Sequence, residues 1–392
     1  MTDPALSRAL RVLETSPVFD GHNDLPWRIR EHTGNPPDVD AYDLHARTPG
    51  MTDLARLRAG RVGAQFWAAY TPGERDNPAY APNGGVTSTP GYARVMLDQI
   101  DVAHRLIASY AELEWAPTVH DIRGCIARRT VASLIGVEGG HGIENSLGIL
   151  RTFRALGVRY MTLTHNVTTD WADAALGAPL HGGLTPFGRD VIREMNRLAM
   201  LVDLAHASPD TMRDALDTSH APVMFTHSGA RALCDHPRNV PDAILARIPA
   251  NGGIVMVPFL PSFVSATVKA DDDALEHVRT RAHASHPHDP AAAAEEIVAW
   301  RDANPRPQAT LADVADMIEY VRSIVGVQHV GIGSDFDGFD ETTVGLEDVS
   351  TYPALFAELA RRGWSDEDLA KLACENVLRV LGDAETAATR RR

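Results

Sequence analysis

Six short stretches of this 392-residue chain bring histidine or carboxylate side chains to the close of an apolar run. They are Asp20-Gly21-His22-Asn23-Asp24, Gly136-Val137-Glu138-Gly139-Gly140-His141, Thr164-His165-Asn166, Asp203-Leu204-Ala205-His206, Phe225-Thr226-His227-Ser228 and Gly333-Ser334-Asp335-Phe336-Asp337-Gly338. His22 and Asp24 stand two apart, so on an extended strand they face the same side and can address one metal ion. Glycines around Glu138 let other groups approach its carboxylate. A single strand-end histidine is more often a structural hydrogen-bond partner than a ligand, and a single Asp-X-Asp-Gly is more often a turn. Accidents of that kind would fall on both ends of the strands, whereas all six stretches fall on the same end. Three histidines with two carboxylates form a nitrogen and oxygen set that suits Zn²⁺ better than Mg²⁺ or Ca²⁺. Five ligands exceed what one catalytic zinc with an open position takes, and suit a pair about 3.5–4 Å apart bridged by a carboxylate. Such a pair ionises a shared water near neutral pH and polarises a carbonyl. Asp335, across on the last strand, is then placed to relay a proton from nucleophile to leaving group. The chemistry this predicts is metal-assisted hydrolysis.

Positioning these groups requires strands whose ends converge. Apolar runs recur at Val18–Asp24, Val62–Tyr70, Thr130–Glu138, Val158–Asn166, Ala199–His206, Pro222–His227, Gly252–Phe259 and His329–Asp335. Their near-continuous hydrophobicity is that of parallel strands covered on both faces. Helical spacing separates them, as in Tyr92–Leu113, Leu147–Leu156 after Asn145, Thr185–Leu198, Pro209–Leu216, Pro241–Ile248, Leu311–Val325 and Tyr352–Leu381. Eight strands alternating with helices predict an α/β fold of the (β/α)₈ TIM-barrel type, in which reactive groups gather at the C-terminal strand ends. A single domain over 1–392 is expected, enlarged by a mouth loop at 71–90 and an insertion at 261–307 after the seventh strand, with a flexible tail at 384–392. His283, His286 and His288 in the insertion are read as a solvated loop, His141 and Asp203 as supporting or capping groups, and Cys234 as a buried thiol.

Composition narrows the class. Lys plus Arg is 37 and Asp plus Glu is 52, so the formal charge is −15, which argues against nucleic-acid or anionic-membrane partners. A hydrophobic fraction of 44% with 23% charged residues is that of a folded globular chain. Three scattered cysteines do not make a disulfide framework or a cysteine zinc site. With no apolar leader, membrane-length run or hydrophobic anchor signal, a cytoplasmic protein is expected.

The motifs together resemble those of the membrane (renal) dipeptidase family. The resemblance lies in Phe19-Asp20-Gly21-His22-Asn23-Asp24, Gln65-Phe66-Trp67, Gly136 to His141, Leu163-Thr164-His165-Asn166, Asp203 to His206, Thr226-His227-Ser228, Arg238-Asn239-Val240-Pro241-Asp242 and Gly333 to Gly338. These span nearly the whole chain in the family's order. The resemblance implies an amidohydrolase-like barrel and a zinc-dependent dipeptidase acting on L-Xaa-L-Xaa or L-Xaa-D-Xaa through a metal-bridging hydroxide. It implies two Zn²⁺ per chain: His22 and Asp24 on one, His206 and His227 on the other, Glu138 bridging. It also implies His165 as oxyanion stabiliser, Arg238 as the grip on the substrate's free α-carboxylate, Asp335 as proton shuttle and a homodimer. Tyr70 is a further substrate-contact candidate, whereas Arg238, read without the resemblance, is a surface arginine. The animal members' leader, lipid anchor and disulfides are not expected here. The competing readings are a related barrel hydrolase acting on a cyclic amide, a β-lactam or an N-acyl amino acid, and a metal-binding protein without catalysis.

Overall fold

The computed structural model describes residues 3–34, 36–73 and 91–389. Nine parallel strands run β1 (Val18–Asn23), β2 (Val62–Tyr70), β3 (Leu113–Trp115), β4 (Val131–Glu138), β5 (Val158–Thr162), β6 (Leu201–Asp203), β7 (Val223–Phe225), β8 (Ile254–Val257) and β9 (Val330–Ile332). Each of β4 to β9 pairs with the next, β9 with β1, β1 with β2, and β2 with β4, so eight strands close into the expected barrel. Strand β3 is outside that ring. Because β2 occupies one edge of β4 along residues 132–138, β3 shares the other edge with β5, pairing at 131–133 while β5 pairs at 135–138. Three residues leave little pattern to read, and Leu113 carries on the helical spacing of the preceding segment. The helix actually stops at Ser109.

Helices cover the barrel because each offers one apolar stripe to it. Several begin where their capping chemistry dictates: Thr185 accepts from the Gly188 amide ahead of Pro186, and Ser208 accepts from Thr211 ahead of Pro209. Ser146, not Asn145, caps the helix Leu147–Ala155; Asn145 sits one residue too early, with φ of 58°. A helix at Pro4–Thr15, capped by Asp3, precedes the first strand, and another at Val119–Arg128 carries a Thr118–Asp121 capping box. Aromatic side chains fill the barrel interior: Phe19 stacks on Phe66 at 5.5 Å and Phe66 meets Tyr160 edge-on at 4.9 Å.

The insertion after β8, the seventh strand of the ring, is a helical hairpin. Its helices span Pro261–Val264, Ala266–Ser285 and Pro290–Ala303. His283 therefore lies on a helix, while His286 and His288 lie in the turn that follows, and His283 and His288 are exposed. Arg301 and Arg306 bind the Asp271-Asp272 pair across the hairpin, Arg301 Nη1 to Asp271 Oδ2 at 2.9 Å. The acidic run is thus a structural staple. Residues 384–389, expected to be a flexible tail, continue the helix Asn376–Thr389, with Ala384 and Ala388 packed inward. Residues 390–392 and positions 74–90 of the expected mouth loop lie outside the described residues. Among the described residues no helix is long and apolar enough to cross a membrane.

Candidate active site

His22 lies within β1 and Glu138 closes β4, whereas Asp24, His165, His206, His227 and Asp335 stand one to three residues beyond the ends of their strands. Two do so with left-handed backbones, His206 at φ 64° and Asp335 at φ 68°. Such a conformation costs about 1–3 kcal/mol in a non-glycine residue and persists only where surrounding contacts over-determine it. Those contacts are present around Asp335. The buried Asp20 carboxylate accepts from the Ser334 amide (2.8 Å), the Ser334 hydroxyl (2.6 Å) and the Tyr352 hydroxyl (2.6 Å). The Asp335 amide donates to the His22 carbonyl at 3.2 Å, and the Asp24 amide donates to the Phe336 carbonyl at 2.9 Å. The ends of β1 and β9 are thereby stitched together, and Asp24 meets Asp335. Gly338 lies between those two carboxylates, where a Cβ would come within 2.4 Å of Asp24 Oδ2 and 2.8 Å of Asp335 Oδ1.

Glu138 spans two clusters of ligand atoms. Its Oε1 lies 2.9 Å from His206 Nε2 and 3.5 Å from His227 Nε2, and its Oε2 lies 3.5 Å from His22 Nε2. His22 Nε2 is in turn 3.2 Å from Asp24 Oδ2 and 3.9 Å from Asp335 Oδ1. The atoms group as His22, Asp24 and Glu138; as Glu138, His206 and His227; and as His22, His227 and Asp335. All five residues expected as metal ligands therefore converge, and Asp335, expected only as a proton carrier, comes within ligand range of His22.

The protons at the far sides of the rings show what this cluster is built to hold. His206 Nδ1 donates to the Asn166 side-chain oxygen at 3.0 Å, so its Nε2 is an unprotonated lone pair. His227 Nδ1 lies 2.9 Å from the Thr226 hydroxyl, and His22 Nδ1 lies 2.9 Å from the Tyr160 hydroxyl. His206 Nε2 and His227 Nε2 stand only 3.0 Å apart, both beside Glu138 Oε1. His22 Nε2 is buried and faces the carboxylates of Asp24, Glu138 and Asp335. Lone pairs and carboxylate oxygens packed together in this way repel one another unless a cation sits among them, so the donor set fits a metal centre. Gly136 makes the Tyr160 support sterically feasible, since a Cβ there would lie 2.0 Å from the Tyr160 ring. Neither Tyr160 nor Thr226 carried a sequence signal as a metal-site residue, because a hydroxyl that orients a ring is recognised only by what it touches.

Burial sets the electrostatics. It depresses His206, reinforced by the Arg238 charge, and depresses His227, reinforced by His22 and Arg238. It also takes His165 down to about 4 and, with the Arg238 charge adding, His236 to about 3. Burial works against His22 as well, but Tyr160, Asp24 and Glu138 overcome it and hold its pKa well above the usual value. Burial opposes ionisation of Glu138, yet His22 and His206 keep its carboxyl well below the ordinary range. Asp335 is pushed well up by burial, with Asp24 and Glu138 adding to it against the pull of His22. A histidine whose folded pKa is depressed binds fewer protons than its unfolded counterpart, so its stabilising contribution is present above about pH 6.5 and lost toward the folded value. His165, His206, His227 and His236 share that sign, and the two groups of the cluster held well above their usual values, His22 and Asp335, oppose it. The urea midpoint of the metal-free protein is therefore expected to fall between pH 7.5 and pH 5; an unchanged or higher midpoint at pH 5 would contradict this balance.

His165 lies beside the cluster, its ring 4.4 Å from that of His206 and 4.8 Å from that of Tyr70, with Nδ1 buried and unpaired. Tyr70 packs edge-on against Trp27 at 4.9 Å. Arg238 is not on the surface but 2% exposed, its guanidinium 5.3 Å from the Phe263 ring of the insertion. Among the described residues no carboxylate comes within ion-pair distance of it, and its Nη1 has no partner. His141 stands back from the cluster and bonds the Thr71 carbonyl at 2.9 Å. Cys234 is a buried thiol, pushed up to about 11 by burial and donating to the Ser262 carbonyl.

A closed parallel barrel with a buried histidine–carboxylate cluster at the C-terminal strand ends defines a metal-dependent hydrolase of the amidohydrolase-like class. The chain belongs to the membrane dipeptidase family, peptidase family M19, whose model matches residues 6–392, and it is a metallopeptidase of that family. Dipeptidase 3 of Rattus norvegicus is 38% identical over 390 residues, covering 98% of this chain and 68% of the relative. Dipeptidase verJ of Clonostachys rogersoniana is 39% identical over 388 residues, covering 98% and 88% respectively. A crystal structure of a metallopeptidase from Rhodobacter sphaeroides, liganded with a phosphinate mimic of L-Ala-D-Ala, is 26% identical with a TM-score of 0.74, covering 94% of this chain and 99% of that one.

Proposed function

We propose that this protein hydrolyses the peptide bond of dipeptides, with an L residue first and an L or D residue at the C-terminal position. The observation that carries the reading is Arg238, a buried guanidinium with no carboxylate partner among the described residues, whose charge acts on Glu138, Asp335, His165, His206 and His227. Leaving a buried cation unpaired is costly, and a substrate's free α-carboxylate would satisfy it bidentately. A carboxylate held beside the cluster limits the chain to one residue beyond the scissile bond, which favours a dipeptidase over an endopeptidase. The Rhodobacter sphaeroides enzyme's dipeptide mimic supports the same substrate class.

His22 and Asp24 would hold one zinc ion and His206 and His227 the other, with Glu138 between them. Bound there, two zinc ions would supply an activated water and polarise the scissile carbonyl. The residues do the rest. Burial keeps His165 neutral at pH 7, so its ring can donate a hydrogen bond to the oxygen on which charge develops. Asp335 takes the proton of the attacking water and delivers it to the leaving amine. Tyr70 buttresses His165 and walls the site beside Trp27. Cytoplasmic location and a homodimer belong to the same reading, for fractionation and light scattering to check.

Arg238→Gln should lower kcat/KM on a dipeptide by roughly 30- to 5,000-fold, the 2–5 kcal/mol typical of a buried charge pair. The C-amidated analogue should be cleaved poorly by both proteins and change little between them. Rapid cleavage of the amidated substrate by the unsubstituted enzyme would sink the role of Arg238 and favour the hydrolase of other small amides.

A further inference from the structure

We infer that Asp203 and Thr226 are positioning residues that lock His227 into the one protonation form able to bind a metal. Asp203 closes β6 and is wholly buried. Its Oδ1 accepts from the Thr226 amide (2.9 Å) and the Ala205 amide (3.1 Å), and its Oδ2 from the Thr162 hydroxyl (2.6 Å) and the Thr226 hydroxyl (2.7 Å). One carboxylate thus ties together the ends of β5, β6 and β7.

Proton accounting then determines the rest. A carboxylate with four donors around it is an acceptor only, so the Thr226 hydroxyl spends its single proton on Asp203. Toward His227, 2.9 Å away, that hydroxyl can only accept. The proton of neutral His227 must therefore sit on Nδ1, and its Nε2, beside Glu138 Oε1 and His206 Nε2, must present a lone pair. The Ala205 contact extends the same control to His206, the next residue, whose left-handed backbone must be held in place. His206 itself is protonated toward Asn166, so the two histidines of this metal position are set by separate devices.

The inference rests on the binuclear reading, which the zinc content of the unsubstituted protein tests on its own. The relay is tested by titrating zinc-loaded Thr226→Val, Thr226→Ser and Thr162→Val proteins with a competing chelator. In parallel, the histidine tautomers are read from ¹⁵N spectra of histidine-labelled protein. Thr226→Val should weaken one of the two zinc ions by about 10–100-fold and lose the fixed Nδ1–H signature of His227. Thr226→Ser should restore both. Thr162→Val removes an equivalent donor from Asp203 without touching His227, and should leave zinc affinity near the unsubstituted value. Equal weakening in both valine variants, or none in Thr226→Val, would overturn the relay. If circular dichroism shows Thr226→Val unfolded, Asp203→Asn decides in the same assay. Its amide would donate to Thr226, free that hydroxyl's proton for His227 Nδ1 and drive the ring to the Nε2–H form. Unweakened zinc binding in Asp203→Asn would also overturn the relay.

Discussion

Glu138→Gln is expected to abolish turnover together with metal binding, lowering kcat by roughly 10³-fold or more. That size follows from losing the several kcal/mol a metal centre contributes, at 1.36 kcal/mol per tenfold. Both carboxylate oxygens are committed, Oε1 to the His206 and His227 nitrogens and Oε2 to His22. An amide keeps one acceptor and turns the other position into a donor, aimed at lone pairs that need a cation. Zinc measured by atomic emission after gel filtration should fall toward zero, and added zinc should not restore activity. Two retained zinc ions with near-normal turnover would remove Glu138 as the bridge.

Asp335→Asn separates chemistry from binding. A positioned proton carrier contributes about 10²–10⁴-fold, and kcat should fall by that amount. Burial and two neighbouring carboxylates push Asp335 well up, so it is suited to accept a proton and, once protonated, to release it to an amine. Asparagine fills the same space and keeps an oxygen 3.9 Å or so from His22, so metal content should remain near that of the unsubstituted protein. A fall in kcat with KM little changed is the expected pattern. Loss of zinc in parallel with kcat would instead make Asp335 a ligand, which its grouping with His22 and His227 makes a meaningful alternative outcome.

The chain's local patterns carried much of this. Fully buried apolar runs alternating with capped helices led to the closed barrel, because a parallel strand covered on both faces leaves no polar alternation. The same patterns located His22, Asp24, Glu138, His165, His206, His227 and Asp335, since barrel geometry delivers strand-end residues to one mouth whatever their separation in sequence. Where pattern was short or borrowed from a neighbour, it misled. The helix expected at 92–113 ran into the first residue of β3, and of the insertion's hairpin only the Ala- and Glu-rich helix was legible, not the longer helix Ala266–Ser285 that packs with it.

Tertiary structure alone decided three matters. Arg238 reads locally as a surface arginine, yet residues distant in sequence bury it and, among the described residues, give it no anionic partner. Asp335 moved from proton carrier alone to the edge of the ligand set, because the Asp20–Ser334–Tyr352 contacts fix the turn that carries it. The tautomers of His206 and His227 depend on Asn166 and Thr226, and Thr226 in turn on Asp203. The order of residues determined which groups reach the mouth, through the periodicity of strands and helices. Which atom of each group faces the metal depends on hydrogen bonds between neighbouring strands, and those exist only once the barrel has closed.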